Sequence, residues 1–268
     1  MKKLSIDLKN DYAATVAGGD FVAEFIKIDF AQFDLTNSES RLYSMADDHF
    51  RQLFDQADII NLVVPMRYSM IKLIEIDTIG FERYGQDFLT WEAGQQLPEE
   101  LGKFHYRFHL LGKSFDGKKI KMQFWAAPEA LVDRLIEFSG LTDRRKLALG
   151  SEAMGLYLAI DKATESQGFN AAIILESDGA SAVISHDGDF VGGKFILDSD
   201  GGLGDELMYY IFGASSETLR PQVLLGGDLS NRSRLGDFKW GDTLNLELLP
   251  ISPNPEFFIA AYGLNLID

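Results

Sequence analysis

The chain has 268 residues, 46% hydrophobic and 25% charged, which is enough apolar material for one large or two modest cores and rules out bulk disorder. Its 41 acidic residues outweigh 25 basic ones for a net charge of −16, a balance that repels nucleic-acid phosphates and anionic lipid heads. There is no cysteine, so disulfides, thiolate metal sites and cysteine catalysis are excluded together.

Behind Lys2 and Lys3 no long apolar run follows, because Asp7, Lys9 and Asp11 interrupt it. No stretch is long enough to span a bilayer. The expectation is a cytoplasmic protein that reaches a membrane only through partners.

Residues 4–8 alternate and read as a strand. Residues 12–18 return as a second strand across the polar turn Lys9-Asn10-Asp11. A third strand is expected over 21–33, where Phe21, Ala23 and Phe25 alternate with polar neighbours. Thr36-Asn37-Ser38-Glu39 fits a capping box, with Leu42, Met45, Phe50, Leu53 and Phe54 following at helical spacing. Residues 59–64 form a buried-strand run ended by Pro65, and 70–76 another strand. Phe81, Tyr84, Phe88 and Trp91 lie at i, i+3, i+7 and i+10, one face of a helix. Phe104, Tyr106 and Phe108 alternate with His105, Arg107 and His109 on a two-faced strand. Asp116-Gly117 then turns the chain into a strand over 120–127. Pro128 opens a helix that Gly140 stops, and a further helix covers 151–160.

The opening pattern then recurs. Strands over 171–175, 180–186 and 190–197 are joined by turns at Ser177-Asp178-Gly179 and Asp187-Gly188, and a helix covers 205–212. A three-strand meander followed by a helix thus occurs twice, the mark of an internal duplication. No linker rich in Pro, Ser or Gly separates the halves, so they must pack directly.

Local motifs are weak. Gly112-Lys113-Ser114 lacks the upstream glycine of a phosphate loop, since Arg107 stands there, and it reads as a turn. His105 and His109 lie about 13 Å apart on a straight strand, too far to share a metal, and read as a solvated face. Asp198-Ser199-Asp200-Gly201-Gly202 lacks the ligand spacing of a calcium loop and reads as an acidic turn. No Gly-x-Ser-x-Gly elbow and no distinctive acid pair is present, so no catalytic or metal-ligating residue is assigned. The turns at 7–11 and 176–181 occupy equivalent places in the two halves and could cradle phosphates through backbone N–H groups. That requires small residues. The first turn instead has Leu8, Lys9 and Asn10. The second has Glu176, Ser177, Asp178 and Gly179, whose carboxylates repel phosphate unless Mg²⁺ intervenes.

The order of elements resembles the actin-like ATPase fold, and within it the PilM family of type IV pilus assembly proteins, relatives of FtsA. Leu4-Ser5-Ile6-Asp7 resembles the first phosphate strand. Asn61-Leu62-Val63-Val64-Pro65 through Leu73-Ile74-Glu75-Ile76 resembles the strand pair entering the family's inserted subdomain. Trp91-Glu92-Ala93-Gly94-Gln95-Gln96-Leu97-Pro98 resembles that subdomain's helix. Gln123-Phe124-Trp125-Ala126-Ala127-Pro128-Glu129 resembles the next strand and helix, and Ser151-Glu152-Ala153 the connecting helix. Leu224-Leu225-Gly226-Gly227-Asp228-Leu229 resembles the adenosine-motif turn, and residues 257–266 the closing helix.

The resemblance implies an α/β, actin-like fold of duplicated ribonuclease-H-like halves. Residues 1–61 and 129–165 would form the first half. Residues 62–128 would form an inserted α+β, partner-binding subdomain. Residues 166–268 would form a reduced second half lacking its outer subdomain, as in the cytoplasmic domain of the GspL family of type II secretion. Asp7, Lys9, Asn10, Glu176, Asp178, Gly179, Gly226 and Gly227 would line a nucleotide cleft. The phosphate-turn glycines are substituted, carboxylates are added and the subdomain that walls adenine is missing. The implied function is therefore a pseudo-ATPase with no cofactor, ATP and Mg²⁺ being disfavoured. It would be a scaffold at the inner membrane that takes the N-terminal peptide of a PilN-like membrane protein and meets other platform proteins. Tyr84, Phe88 and Trp91 are candidates for that contact, although their spacing fits a core stripe better than a groove. The alternatives are an active actin-like ATPase or sugar-kinase-type enzyme, with Lys9, Glu176 and Asp178 as its testable residues, and a self-assembling filament, which the net charge opposes.

Overall fold

The polar turn after Leu8 folds the chain back on itself. In the computed structural model, β1 (Lys3–Leu8) runs antiparallel to β2 (Tyr12–Gly18), with Ser5 opposite Val16 and Asp7 opposite Ala14. The structure describes residues 2–9, 12–18, 24–29, 42–141, 146–165, 167–199, 201–213, 221–235, 242–243 and 255–266. The expected capping box at Thr36–Glu39, Asn10, and the ends of the expected 21–33 strand lie outside them. Within that last segment, β3 (Glu24–Asp29) pairs with β2.

The helical spacing after Leu42 yields two helices. These are α1 (Leu42–Met45) and α2 (Asp48–Gln56), with Asp47 starting the second by accepting from Phe50 N at 2.7 Å. β4 (Ile59–Val64) then lies parallel to β1, and β8 (Leu147–Ser151) parallel to β4, giving the sheet order β3-β2-β1-β4-β8. The second half repeats this plan. β9 (Phe169–Glu176), β10 (Gly179–His186), β11 (Asp189–Leu197), β12 (Gln222–Gly227) and β13 (Asp242–Thr243) form the order β11-β10-β9-β12-β13. Strand senses match throughout: the first strand of each half is antiparallel to the second and parallel to the fourth. The meander seen twice in the sequence is thus a duplicated sheet.

Two helices are shared between the sheets. α6 (Glu152–Thr164) and α8 (Ile259–Asn265) pack against Tyr12, Ala14 and Val16 of the first sheet and Ala172 and Ile174 of the second. The outer face of the first sheet, Leu4, Ile6 and Leu8, packs under α1, α2 and α5 (Glu129–Ser139). The outer face of the second, Ala171, Ile173 and Leu175, packs under α7 (Leu203–Gly213). Every residue of β9 is buried, as expected of a strand covered on both faces.

Between β4 and α5 a third sheet is inserted, of order β5 (Met70–Asp77), β7 (Lys119–Pro128), β6 (Phe104–Lys113). Leu62 to Val64 remain in β4 of the first sheet. The expected helix through Phe81, Tyr84, Phe88 and Trp91 is divided. Gly85, at φ 53, separates α3 (Thr78–Tyr84) from α4 (Gln86–Gln96), because the left-handed backbone there cannot continue a helix. Both helices cover one face of the inserted sheet, through Ile74, Ile76, Ile120, Met122 and Phe124. No helix among the described residues is long and apolar enough to cross a membrane.

α6 and α8 cross at glycines. A Cβ on Gly263 would lie 1.8 Å from the Gly155 carbonyl oxygen, and one on Gly155 would lie 2.3 Å from that of Ala260. Backbone meets backbone there, so neither helix can give way by turning a side chain. Gly263→Ala is expected to destabilise the protein by about 1–3 kcal/mol or more, seen in urea denaturation as a lower midpoint at unchanged slope.

Candidate functional site

The carboxyl ends of β1 and β9 meet the start of α6 in a cleft between the halves that the chain's own side chains fill, at the edge where α/β sheets place ligands. The strand period of two sets Asp7 on the inner face of β1, beside Ser5, and Lys9 continues that side past Leu8. The same period turns Glu176, at the end of β9, inward with Ile174 and Ala172. Glu152 enters from α6, whose N-cap Ser151 accepts from Met154 N at 3.3 Å. All four side chains are at least 95% buried.

They converge on one nitrogen. Lys9 Nζ donates to Glu152 Oε1 and lies 3.5 Å from Asp7 Oδ2 and 3.7 Å from Glu176 Oε1. The other oxygen of Glu152 accepts from Met66 N at 2.7 Å. Met66 opens the short turn Met66–Tyr68 leading into the inserted sheet. Arg67, in the same turn, reaches Glu176 at 3.1 Å, pairs with Asp178 and stacks 4.5 Å above the Phe195 ring. The cluster therefore joins the first half, the shared helix, the second half and the root of the insertion. Asp7 Oδ1 and both Glu176 oxygens make no aligned hydrogen bond among the described residues.

Burial sets the charges. It works to lower the Lys9 ammonium's affinity for its proton, but Asp7, Glu152 and Glu176 outweigh it and hold the group well above the usual lysine range. Burial pushes Asp7 up to about 7, with Lys9 opposing and the two glutamates reinforcing. Burial likewise raises Glu176 against the pull of Lys9.

The remaining cleft candidates are placed differently. Asn10 lies outside the described residues. Gly179 sits against β11, where a Cβ would meet the Ile196 carbonyl oxygen at 2.4 Å. A Cβ on Gly226 would meet the Glu256 oxygen at 2.6 Å, and one on Gly227 the Leu175 oxygen at 2.1 Å. These three glycines are thus in contact with the chain's own backbone. Arg234 braces the second turn, donating to the carbonyls of Glu176 and Ser177 at 2.8 and 2.9 Å and pairing with Asp198 at 2.6 Å. The acidic turn at Asp198 is therefore tied down through its first residue. The Ser114 hydroxyl closes the β6–β7 hairpin, as expected for a turn, by donating to Asp116 at 2.8 Å. Sequence reasoning missed Arg67 and Arg234. Neither stands in a motif, and only the fold brings them to the turns.

A second polar feature lies on the inserted sheet. The face away from α3 and α4 carries Gln123 and Trp125 of β7, paired across the strands with His109 and Arg107 of β6. Trp125 joins the core of the first half. The side-chain amide of Gln123, Trp125 Nε1, and the Nε2 atoms of His105 and His109 are buried with no hydrogen-bond partner among the described residues. The expectation of a solvated histidine face holds in part: Arg107 is exposed and His105 and His109 are half-buried, while Trp125 and Ala127 beside them pack into the first half. Burial, then Arg107, lowers His109 to about 4. Tyr84 and Trp91 are instead more than half exposed on the opposite, helical side, and Phe88 packs against the sheet while touching Trp91 at 5.8 Å.

Two sheets of like topology on a shared helix pair, with a cleft at their carboxyl edge and an insertion in the first half, define an actin-like fold. Comparison with solved structures agrees. The PilM–PilN type IV pilus biogenesis complex matches with TM-score 0.67 and 13% identity, over 99% of this chain and 98% of that one. The cytoplasmic domain of EpsL, an inner-membrane component of the type II secretion system of Vibrio cholerae, matches with TM-score 0.51 and 13% identity, over 84% and 82%. A Bacteroides thetaiotaomicron protein of actin-like ATPase fold and unknown function matches with TM-score 0.51 and 11% identity, over 87% and 85%. No family model and no curated protein matches the sequence.

A carboxyl raised on folding contributes stability at low pH and loses it as the pH climbs through its folded value. Asp7, moved from 3.8 to about 7, therefore weakens the fold across that window. Asp7→Asn should melt like the parent at pH 4. At pH 8 it should melt higher, by on the order of 1–4 kcal/mol, as read from thermal unfolding at the two pH values.

Proposed function

We propose that this chain is a scaffold of an inner-membrane assembly platform, of the type IV pilus or type II secretion kind. On this reading it lies in the cytoplasm, peripheral to the membrane, and performs no nucleotide chemistry. It holds a short cytoplasmic N-terminal segment of a PilN-like membrane protein between the inserted sheet and the first half. The similarity in fold to a PilM–PilN complex and to the EpsL cytoplasmic domain supports the class.

One observation carries the partner assignment. The row His105, His109, Gln123 and Trp125 keeps buried donors and acceptors without partners among the described residues. Each such atom costs about 1–3 kcal/mol. On this reading another molecule relieves them, approaching where the row nears the surface at half-buried His105 and His109 beside exposed Arg107. An extended peptide backbone offers an N–H and a C=O at every residue, matching a mixed row of this kind. The His109 imidazole, held neutral by burial, can donate through one nitrogen and accept through the other.

Gln123→Leu tests the assignment by separating stability from binding. The change removes two unpartnered atoms, so the free protein should gain about 1–3 kcal/mol. Binding of a synthetic peptide copying the cytoplasmic N-terminal tail of a PilN-like membrane protein should weaken roughly tenfold, about 1.4 kcal/mol, by calorimetry. Unchanged affinity, or co-purification that survives deletion of the tail, would contradict the reading. The nucleotide claim is tested separately. ATP and ADP with Mg²⁺ should give no heat of binding to the intact protein, and micromolar binding would refute it.

A further inference from the structure

We infer that the cleft between the two halves is a cation site whose occupant is the chain's own Lys9 ammonium, and that removing this side chain opens a divalent-cation site formed by Asp7, Glu152 and Glu176.

Three carboxylates from three separate elements, one on β1, one on α6 and one on β9, face a single point. Buried carboxylates in such an arrangement repel one another and require a positive charge among them. Hard divalent ions are the usual answer, held by carboxylate oxygens at about 2.0–2.6 Å. Here Lys9 Nζ stands at that point. It makes one close contact, to Glu152, and leaves Asp7 and Glu176 at 3.5 and 3.7 Å. Asp7 Oδ1 and the Glu176 oxygens make no aligned hydrogen bond among the described residues, and Glu176 is held only by ion pairs, with Arg67 at 3.1 Å and Lys9 at 3.7 Å. The site is thus filled by a cation that satisfies it only in part.

The Mg²⁺–nucleotide complex that the actin-like fold implies does not fit these residues. A divalent ion would have to share the carboxylates with an ammonium a few ångströms away. Arg67 is already committed to Glu176 and Asp178. The glycines of the expected adenosine turn abut the backbone at Glu256 and Leu175. As the side chains stand, no three acidic or histidine groups among the described residues are placed to hold a metal.

Lys9 also does mechanically what a bound ligand would do. Its partners belong to the first half, the shared helix and the second half, so it ties the two halves together. Through Glu152 the tie extends to Met66 N at 2.7 Å, the root of the inserted sheet.

The test uses the full chain and Mn²⁺ alone as probe, by calorimetry and electron paramagnetic resonance. The parent should bind no Mn²⁺ in the cleft. Lys9→Ala should bind one Mn²⁺ per chain at least a hundredfold more tightly than the parent. Its lowered melting temperature should rise when Mn²⁺ is added, and Lys9→Ala combined with Glu176→Gln should lose both effects. Folded Lys9→Ala without Mn²⁺ binding overturns the inference, as does Mn²⁺ binding to the parent that Glu176→Gln abolishes. If Lys9→Ala is recovered unfolded, refolding with Mn²⁺ or with chelator decides. Recovery only with Mn²⁺ supports the inference, and recovery in neither overturns it.

Discussion

The meeting of Lys9 with Glu152 and Glu176 is the contact at which the two halves and the shared helix join. Each of these groups would be costly if buried alone, and breaking a buried pair by removing one member typically costs about 3–5 kcal/mol. The groups come from a turn in the first half, the first residue of the shared helix and the last residue of a second-half strand. The halves therefore cannot separate without exposing or stranding charge. Arg67 adds a second cation on the same second-half turn, from the segment that leads into the inserted sheet. Position of the halves, position of the insertion and charge of the cleft are one coupled quantity.

That coupling depends on the close approach of the shared helices. α6 can deliver Glu152 to the cleft because α8 lies directly against it, backbone to backbone, at Gly155 and Gly263. Behind that crossing, one apolar cluster takes residues from both sheets, so the halves share a core as well as a set of ion pairs. Apolar burial sets the spacing, and the buried charges then specify how the facing strand ends align.

The inserted sheet has two faces of opposite character. Its helical face is closed by apolar packing. Its other face meets the first half with indole, amide and imidazole groups that find no partner among the described residues. The helical face carries hydrocarbon at the corresponding positions.

The alternation of the opening strands, the polar turns, the repeat of the meander and the helix stop at Gly140 were all legible from residue order, because strand and helix periods and turn chemistry are local properties. From them the duplicated α/β plan followed, and so did the prominence of Lys9, Glu176 and Asp178 at matching turns. The break at Gly85 escaped because an apolar spacing continues across it, while backbone handedness is not visible in spacing. The histidine face was judged only in part, because alternation shows that a strand has two faces and not how far each one is covered. Glu152, Arg67 and Arg234 acquire their roles from elements distant in sequence. By itself the sequence determined the elements and the presence of charged residues in the two turns. Only the tertiary structure decided that a lysine of one turn meets the carboxylates of the other half, because the energy of a buried charge is set by its neighbours in space.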